Sequence, residues 1–143
     1  MIENQDTTTA STIQNICDAI RGAVVSMPDI SLAVLFGSAA CGRLRFDSDV
    51  DVAIAGESNI SLERQQEIRI ALSRKLRREV DIIDLRQARG LIFYQALTKG
   101  IIVMARDQRL LARMMTDVVY YAADMLPLVT AALANKTSRF ING

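Results

Sequence analysis

Two short apolar runs joined by a polar loop constrain this chain more than any other feature. Leu32-Ala33-Val34-Leu35-Phe36 ends at Gly37-Ser38, and ten residues further on Asp49-Val50-Asp51-Val52-Ala53-Ile54 begins. The first run is short, β-prone and closed by a turn former, which reads as a buried strand. The second alternates Asp49, Asp51 and Ala53 with Val50, Val52 and Ile54. Side chains leave a strand on opposite faces with period two, so both carboxylates share one face and the branched aliphatics the other. Like charges side by side on a strand repel, and a cation between them is expected. A glycine after the first strand permits positive φ and a close approach of backbone to ligand. Ser38 adds a hydroxyl, and a turn at Ala39-Ala40 opening a helix would point free amides at an anion. Triphosphate oxygens on Ser38 and those amides, bridged by Mg²⁺ to Asp49 and Asp51, make a phosphoryl- or nucleotidyl-transfer site.

What the chain lacks narrows the chemistry further. It contains no histidine, which excludes a histidine general base, a Ser-His-Asp triad and the usual zinc enzymes, and leaves carboxylates with metal. Cys17 and Cys41 form no spacing pattern and fit a reducing compartment. The acidic, polar start Met1-Ile2-Glu3-Asn4-Gln5-Asp6 has no signal-peptide character, and no apolar run is expected to reach bilayer length. A cytoplasmic protein without membrane contact follows as the expectation. The length of 143 residues suits one domain with a core of its own, and a net charge of +1 gives no basic field for direct nucleic-acid binding.

The remaining pattern is α+β: a small mixed sheet flanked by helices. Thr12 to Val25 reads as a helix with Ile13, Ile16, Cys17, Ile20 and Val24 on one face, stopped by Met27-Pro28. Ser61 is a candidate N-cap for a second helix to about Leu76, striped by Ile68, Ala71, Leu72 and Leu76. Arg74, Lys75, Arg77 and Arg78 close it, as cations complementing a helix C-terminus or as a phosphate contact. A short helix near Leu91–Thr98 stops at Gly100, and Ile101-Ile102-Val103-Met104 reads as a fourth strand. From Gln108 to Met125 runs a helix whose apolar band is wider than one core face needs, with methionine and tyrosine suited to an interface. Pro127 is expected to break it, leaving Leu128–Ala134 as a separate apolar segment.

Between these lies Glu79-Val80-Asp81-Ile82-Ile83-Asp84-Leu85, another strand-like alternation. Asp81 and Asp84 are three apart and face opposite sides of a strand, so only one can join the acidic pair. Asp84, at the strand end, suits a turn or a cap.

Gly-Ser, a ten-residue gap and Asp-x-Asp on a strand resemble the signature of the polymerase-β-like nucleotidyltransferase superfamily, and the length resembles its minimal (MNT) branch. The resemblance covers about Ser31 to Met104. It implies that Asp49, Asp51 and a third carboxylate, Asp81 by its place in the motif, bind two Mg²⁺ ions, and that Gly37 and Ser38 hold the phosphates of ATP. It also places the catalytic core at about 30–105 and a partner-binding helical segment at about 106–143. Relatives commonly carry an arginine in the loop where this chain has Ala40-Cys41-Gly42, and Arg43 or Arg45 are the available substitutes as phosphate contacts. With Tyr120-Tyr121-Ala122-Ala123-Asp124 in its C-terminal helix, the chain resembles the antitoxin of a HEPN/MNT toxin–antitoxin pair. That implies transfer of AMP from ATP to a tyrosine of a HEPN-domain RNase toxin, in a hetero-oligomer with it. The rival readings are a non-catalytic stoichiometric antitoxin, an aminoglycoside-type small-molecule transferase and an RNA nucleotidyltransferase.

Overall fold

In the computed structural model, the backbone is described for residues 2–45 and 47–142, and side chains for 12–45, 47–125, 127, 128 and 130–135. The elements follow as α1 (Ile2–Val24), β1 (Leu32–Phe36), β2 (Val50–Ala55), α2 (Leu62–Leu76), β3 (Val80–Asp84), α3 (Leu91–Lys99), β4 (Ile101–Ala105) and α4 (Gln108–Asn142). The strands form one sheet in the order β3-β2-β1-β4. β1 runs antiparallel to both neighbours, whereas β2 and β3 are parallel. One end of the sheet is therefore where β1 leaves and the other three strands enter.

The period of two sorts the strand residues into two cores. Ala33, Leu35, Val52 and Ile54 pack against Ile16 and Ile20 of α1 and Ile68 and Leu72 of α2. Leu32, Val34, Ala53 and Ala55 pack against Leu97 of α3 and Leu110, Met114 and Val118 of α4. Ile20, Ile54, Ile68 and Leu72 are wholly buried, each contributing about 1.5–3 kcal/mol of apolar burial. The expected helical stripes are the ones that pack.

Caps fix the helix ends near the site. The Ser61 hydroxyl accepts from the Arg64 amide at 3.1 Å, as expected of an N-cap. α2 closes on Arg77 in the left-handed region, with φ 54°. Arg78 then turns back and donates to the Arg45 carbonyl at 2.8 Å, so this member of the basic cluster is a stitch to the loop before β2. Arg106 donates to the Val24, Val25 and Met27 carbonyls at 3.1, 2.6 and 2.9 Å, satisfying acceptors that the end of α1 leaves without helical partners.

Several expectations are corrected. α1 starts at Ile2, not Thr12; Thr7-Thr8-Thr9 are weak helix formers that give no start signal. Asp49 lies just outside β2. Pro127 does not break α4, which runs through it; continuing a helix past one missing hydrogen bond avoids a fresh, costly nucleation. For the same reason the expectation about bilayer length fails: Gln108–Asn135 is long and apolar enough by composition, with an 18-residue stretch of mean hydropathy 1.3. Its first turns are nevertheless packed on the sheet through Leu110, Met114 and Val118.

Candidate active site

Phe36, Asp51 and Asp81 form one row across the sheet, with Phe36 opposite Asp51 and Asp51 in register with Asp81. Strands spaced about 4.8 Å apart put the two carboxylates side by side on one face. That face is the one α3 and α4 cover, because Asp51 alternates with Val50 and Val52 and aligns with Ala53 and Ala55. Burial, then the charges of Asp81 and Asp49, push the Asp51 carboxyl above its usual range. All three acids are thus electrostatic neighbours. Among the described residues, no three His, Cys, Asp or Glu side chains converge closely enough to form a metal-binding group. An oxygen-only donor set of this kind suits a hard divalent ion such as Mg²⁺.

Gly37 makes room for this arrangement. Its φ is +73°, and a Cβ built there would overlap Oδ2 of Asp51. The loop that follows is a tight turn and no helix. The amides of Cys41 and Gly42 donate to the Gly37 and Ala39 carbonyls at 3.3 Å, and the Arg43 amide to the Ser38 carbonyl at 2.9 Å. The expected helix start at Ala39-Ala40 is therefore corrected to a single closed turn.

An open cavity of about 680 Å³ lies over this row, bordered by Gly37, Ser38, Arg43, Asp51 and Asp81. Of the expected site residues, only Asp49 is not part of its wall. α3 supplies the opposite side through Ile92, Gln95 and Lys99, which sequence reasoning missed. Their spacing, with steps of three and four, was the available signal for one helical stripe. A second hollow of about 480 Å³ beside α4 sets the lone carboxylate Asp117 among Arg86, Arg89 and Arg113 and lacks paired acids.

Asp84 takes no part in this row. It is 4% exposed and accepts from the Ile60 amide at 2.8 Å, the Arg86 amide at 3.0 Å and the Gln87 side chain at 3.1 Å. Its carboxylate organises the turns after β2 and β3, which leaves Asp81 as the acid beside Asp51.

The polymerase beta nucleotidyltransferase family matches residues 18–109, from α1 through the start of α4. The chain belongs to this family. Among relatives of this nucleotidyltransferase-family chain, the protein adenylyltransferase MntA of Shewanella oneidensis is 31% identical over 75 residues. That match covers 52% of this chain and 54% of MntA, so the chain spans about half the length of that relative. A toxin–antitoxin crystal structure with AMP-PNP contains a chain similar at TM-score 0.66 and 21% identity, covering 82% of this chain and 98% of the other. A complex of tri-AMPylated Shewanella oneidensis HEPN toxin with MNT antitoxin gives a TM-score of 0.57 at 20% identity, covering 87% and 98%. At these identities the structural likeness establishes the shared nucleotidyltransferase fold.

Proposed function

We propose that this chain is a cytoplasmic antitoxin that transfers AMP from ATP to a tyrosine of a HEPN-domain RNase toxin and so silences it. The observation that carries the reading is the in-register pair Asp51 and Asp81, with Asp49 beside it and Gly37 shaped around the Asp51 carboxylate. The likeness to MntA and to toxin–antitoxin complexes supports the choice of AMP and of a protein acceptor.

Asp49, Asp51 and Asp81 would hold two Mg²⁺ ions, which when bound neutralise phosphate charge and lower the pKa of an attacking hydroxyl. Ser38 and the first amides of its turn take phosphate oxygens, with Arg43 at the cavity wall as a guanidinium contact. The tyrosine oxygen forms a bond to the α-phosphorus, and the bond from that phosphorus to the α,β-bridging oxygen breaks. Pyrophosphate leaves with the electron pair, and Asp81 accepts the hydroxyl proton. Alignment by the cleft supplies much of the acceleration. Val119, Tyr120, Met125, Leu128 and Leu133 are exposed along α4, giving the toxin an apolar helix to grip.

The test is incubation of the purified chain with α-labelled ATP, Mg²⁺ and the neighbouring-gene product, followed by mass spectrometry. Added AMP on a tyrosine of that product is expected. A tight complex with no added AMP would instead establish the stoichiometric reading.

A further inference from the structure

We infer that Lys99 is the cation that holds the β- and γ-phosphates of the nucleotide and steadies the departing pyrophosphate. The inference rests on the nucleotidyl-transfer reading and adds a residue to that site.

The placement of Lys99 follows from Gly100. A Cβ at Gly100 would overlap the Ala96 carbonyl oxygen and lie 2.6 Å from Val34 Cγ1 and 3.0 Å from the Leu35 oxygen. The absence of a side chain thus presses the last turn of α3 onto the end of β1. Gly100 donates its amide to Ala96 at 3.1 Å, and Ile101 then pairs with Leu35, the residue before Phe36. Lys99 therefore reaches the cavity from the β1–β4 side, while Asp51 and Asp81 enter it from β2 and β3. The cleft carries its acids on the β2–β3 side and Lys99 on the other, while Phe36, Ile83 and Ile92 make much of the remaining wall apolar.

A ligand that fits both ends carries one anionic group for the metal-bearing acids and further anionic groups beyond it. A triphosphate has that form when its α-phosphorus stands at the carboxylates and its tail runs toward Lys99. Among the described residues, the ion pairs are Arg21–Asp18, Arg64–Asp29 and Arg64–Glu67, so the Lys99 ammonium is not committed to a carboxylate. An anion placed there also meets the electronegative end of α3, and an ammonium on that last turn offsets the repulsion. Charge that develops on the leaving pyrophosphate is then met by a group already in place.

A lysine that merely complemented its own helix end would not discriminate nucleotides by phosphate number, which gives the test its readout. Calorimetric titrations with AMP-PNP and with AMP, both with Mg²⁺, compare the whole chain with Lys99→Met and Lys99→Arg. The exposed position of Lys99 favours folding of both variants, and thermal melts check it. Lys99→Met is expected to weaken AMP-PNP about tenfold to a hundredfold, the range of a lost charge-assisted contact, with AMP unchanged and Lys99→Arg close to the parent. Equal losses for both nucleotides, or no loss, would overturn the role of Lys99 alone. A parent chain that bound neither nucleotide would overturn the transfer reading with it.

Discussion

Gly37 and Asp51 occupy each other's space: the position of an absent Cβ on one is filled by Oδ2 of the other. A left-handed φ of +73° at Gly37 adds a second reason for glycine, since an alanine there is strained by about 1 kcal/mol. Gly37→Ala is therefore expected to displace the carboxylate and cut AMP transfer about a hundredfold, a barrier change of roughly 3 kcal/mol, while stability falls much less. Initial rates of AMP incorporation beside thermal melts check this, and an unchanged rate would separate the glycine from the chemistry.

Asp51 gives a pH-dependent signature in the metal-free protein. Its folded pKa lies above the ordinary 3.8 because of burial and the neighbouring acids. The folded state then binds the proton more tightly than the unfolded state, so this group's contribution to stability is fully present below 3.8 and is lost as pH rises through the raised value. Asp51→Asn is expected to raise Tm at neutral pH without metal, with the gain fading on acidification. Adding Mg²⁺ should raise the Tm of the parent and leave that of Asp51→Asn unmoved. A Tm below the parent's in metal-free neutral buffer would contradict the sign.

Asp81 and Asp84 should separate cleanly into reactivity and stability. Asp84→Ala leaves the Ile60 and Arg86 amides without their acceptor, and a loss of about 2–4 kcal/mol is expected in denaturant unfolding. Asp81→Ala removes an exposed side chain and should leave the unfolding midpoint within about 0.5 kcal/mol of the parent. Its transfer rate should drop about a hundredfold or more. The reverse pattern would exchange their roles.

Arg78 tests the loop that leads to Asp49. Removing its bond to the Arg45 carbonyl frees the segment just before β2. Arg78→Ala should raise the Mg²⁺ concentration needed for half-maximal transfer several-fold, at a stability cost of about 1 kcal/mol. A metal titration with no shift would assign the arginine to folding alone.

The sheet and much of the site were legible because period two is a local property. The short β-prone apolar run at 32–36, closed by a turn former, marked β1; alternation along 50–55 marked β2, and the three-residue step from Asp81 to Asp84 set those acids on opposite sides. What escaped the sequence depends on contacts distant in the chain. The register that aligns Asp51 with Asp81 is set by strand pairing across α2, and the closeness of Lys99 to the cleft needs α3 to cross the sheet. Gly100 is the C-cap of α3, as its sequence position implies, but with an ordinary φ of −78°; what requires glycine there is close packing against Val34 and Leu35, which the sequence does not show. Pro127 misled because a local rule about one missing amide was set against the cooperativity of a long helix.

The acidic row and α4 lie on the same side of the sheet. A molecule anchored along that helix is tethered next to the cleft, where a flexible segment of it dwells at an effective concentration of order millimolar. The hydroxyl to be modified then needs little recognition sequence of its own, because the tether delivers it. On the proposed reading, selectivity then resides in the grip on α4 rather than in the bond being made.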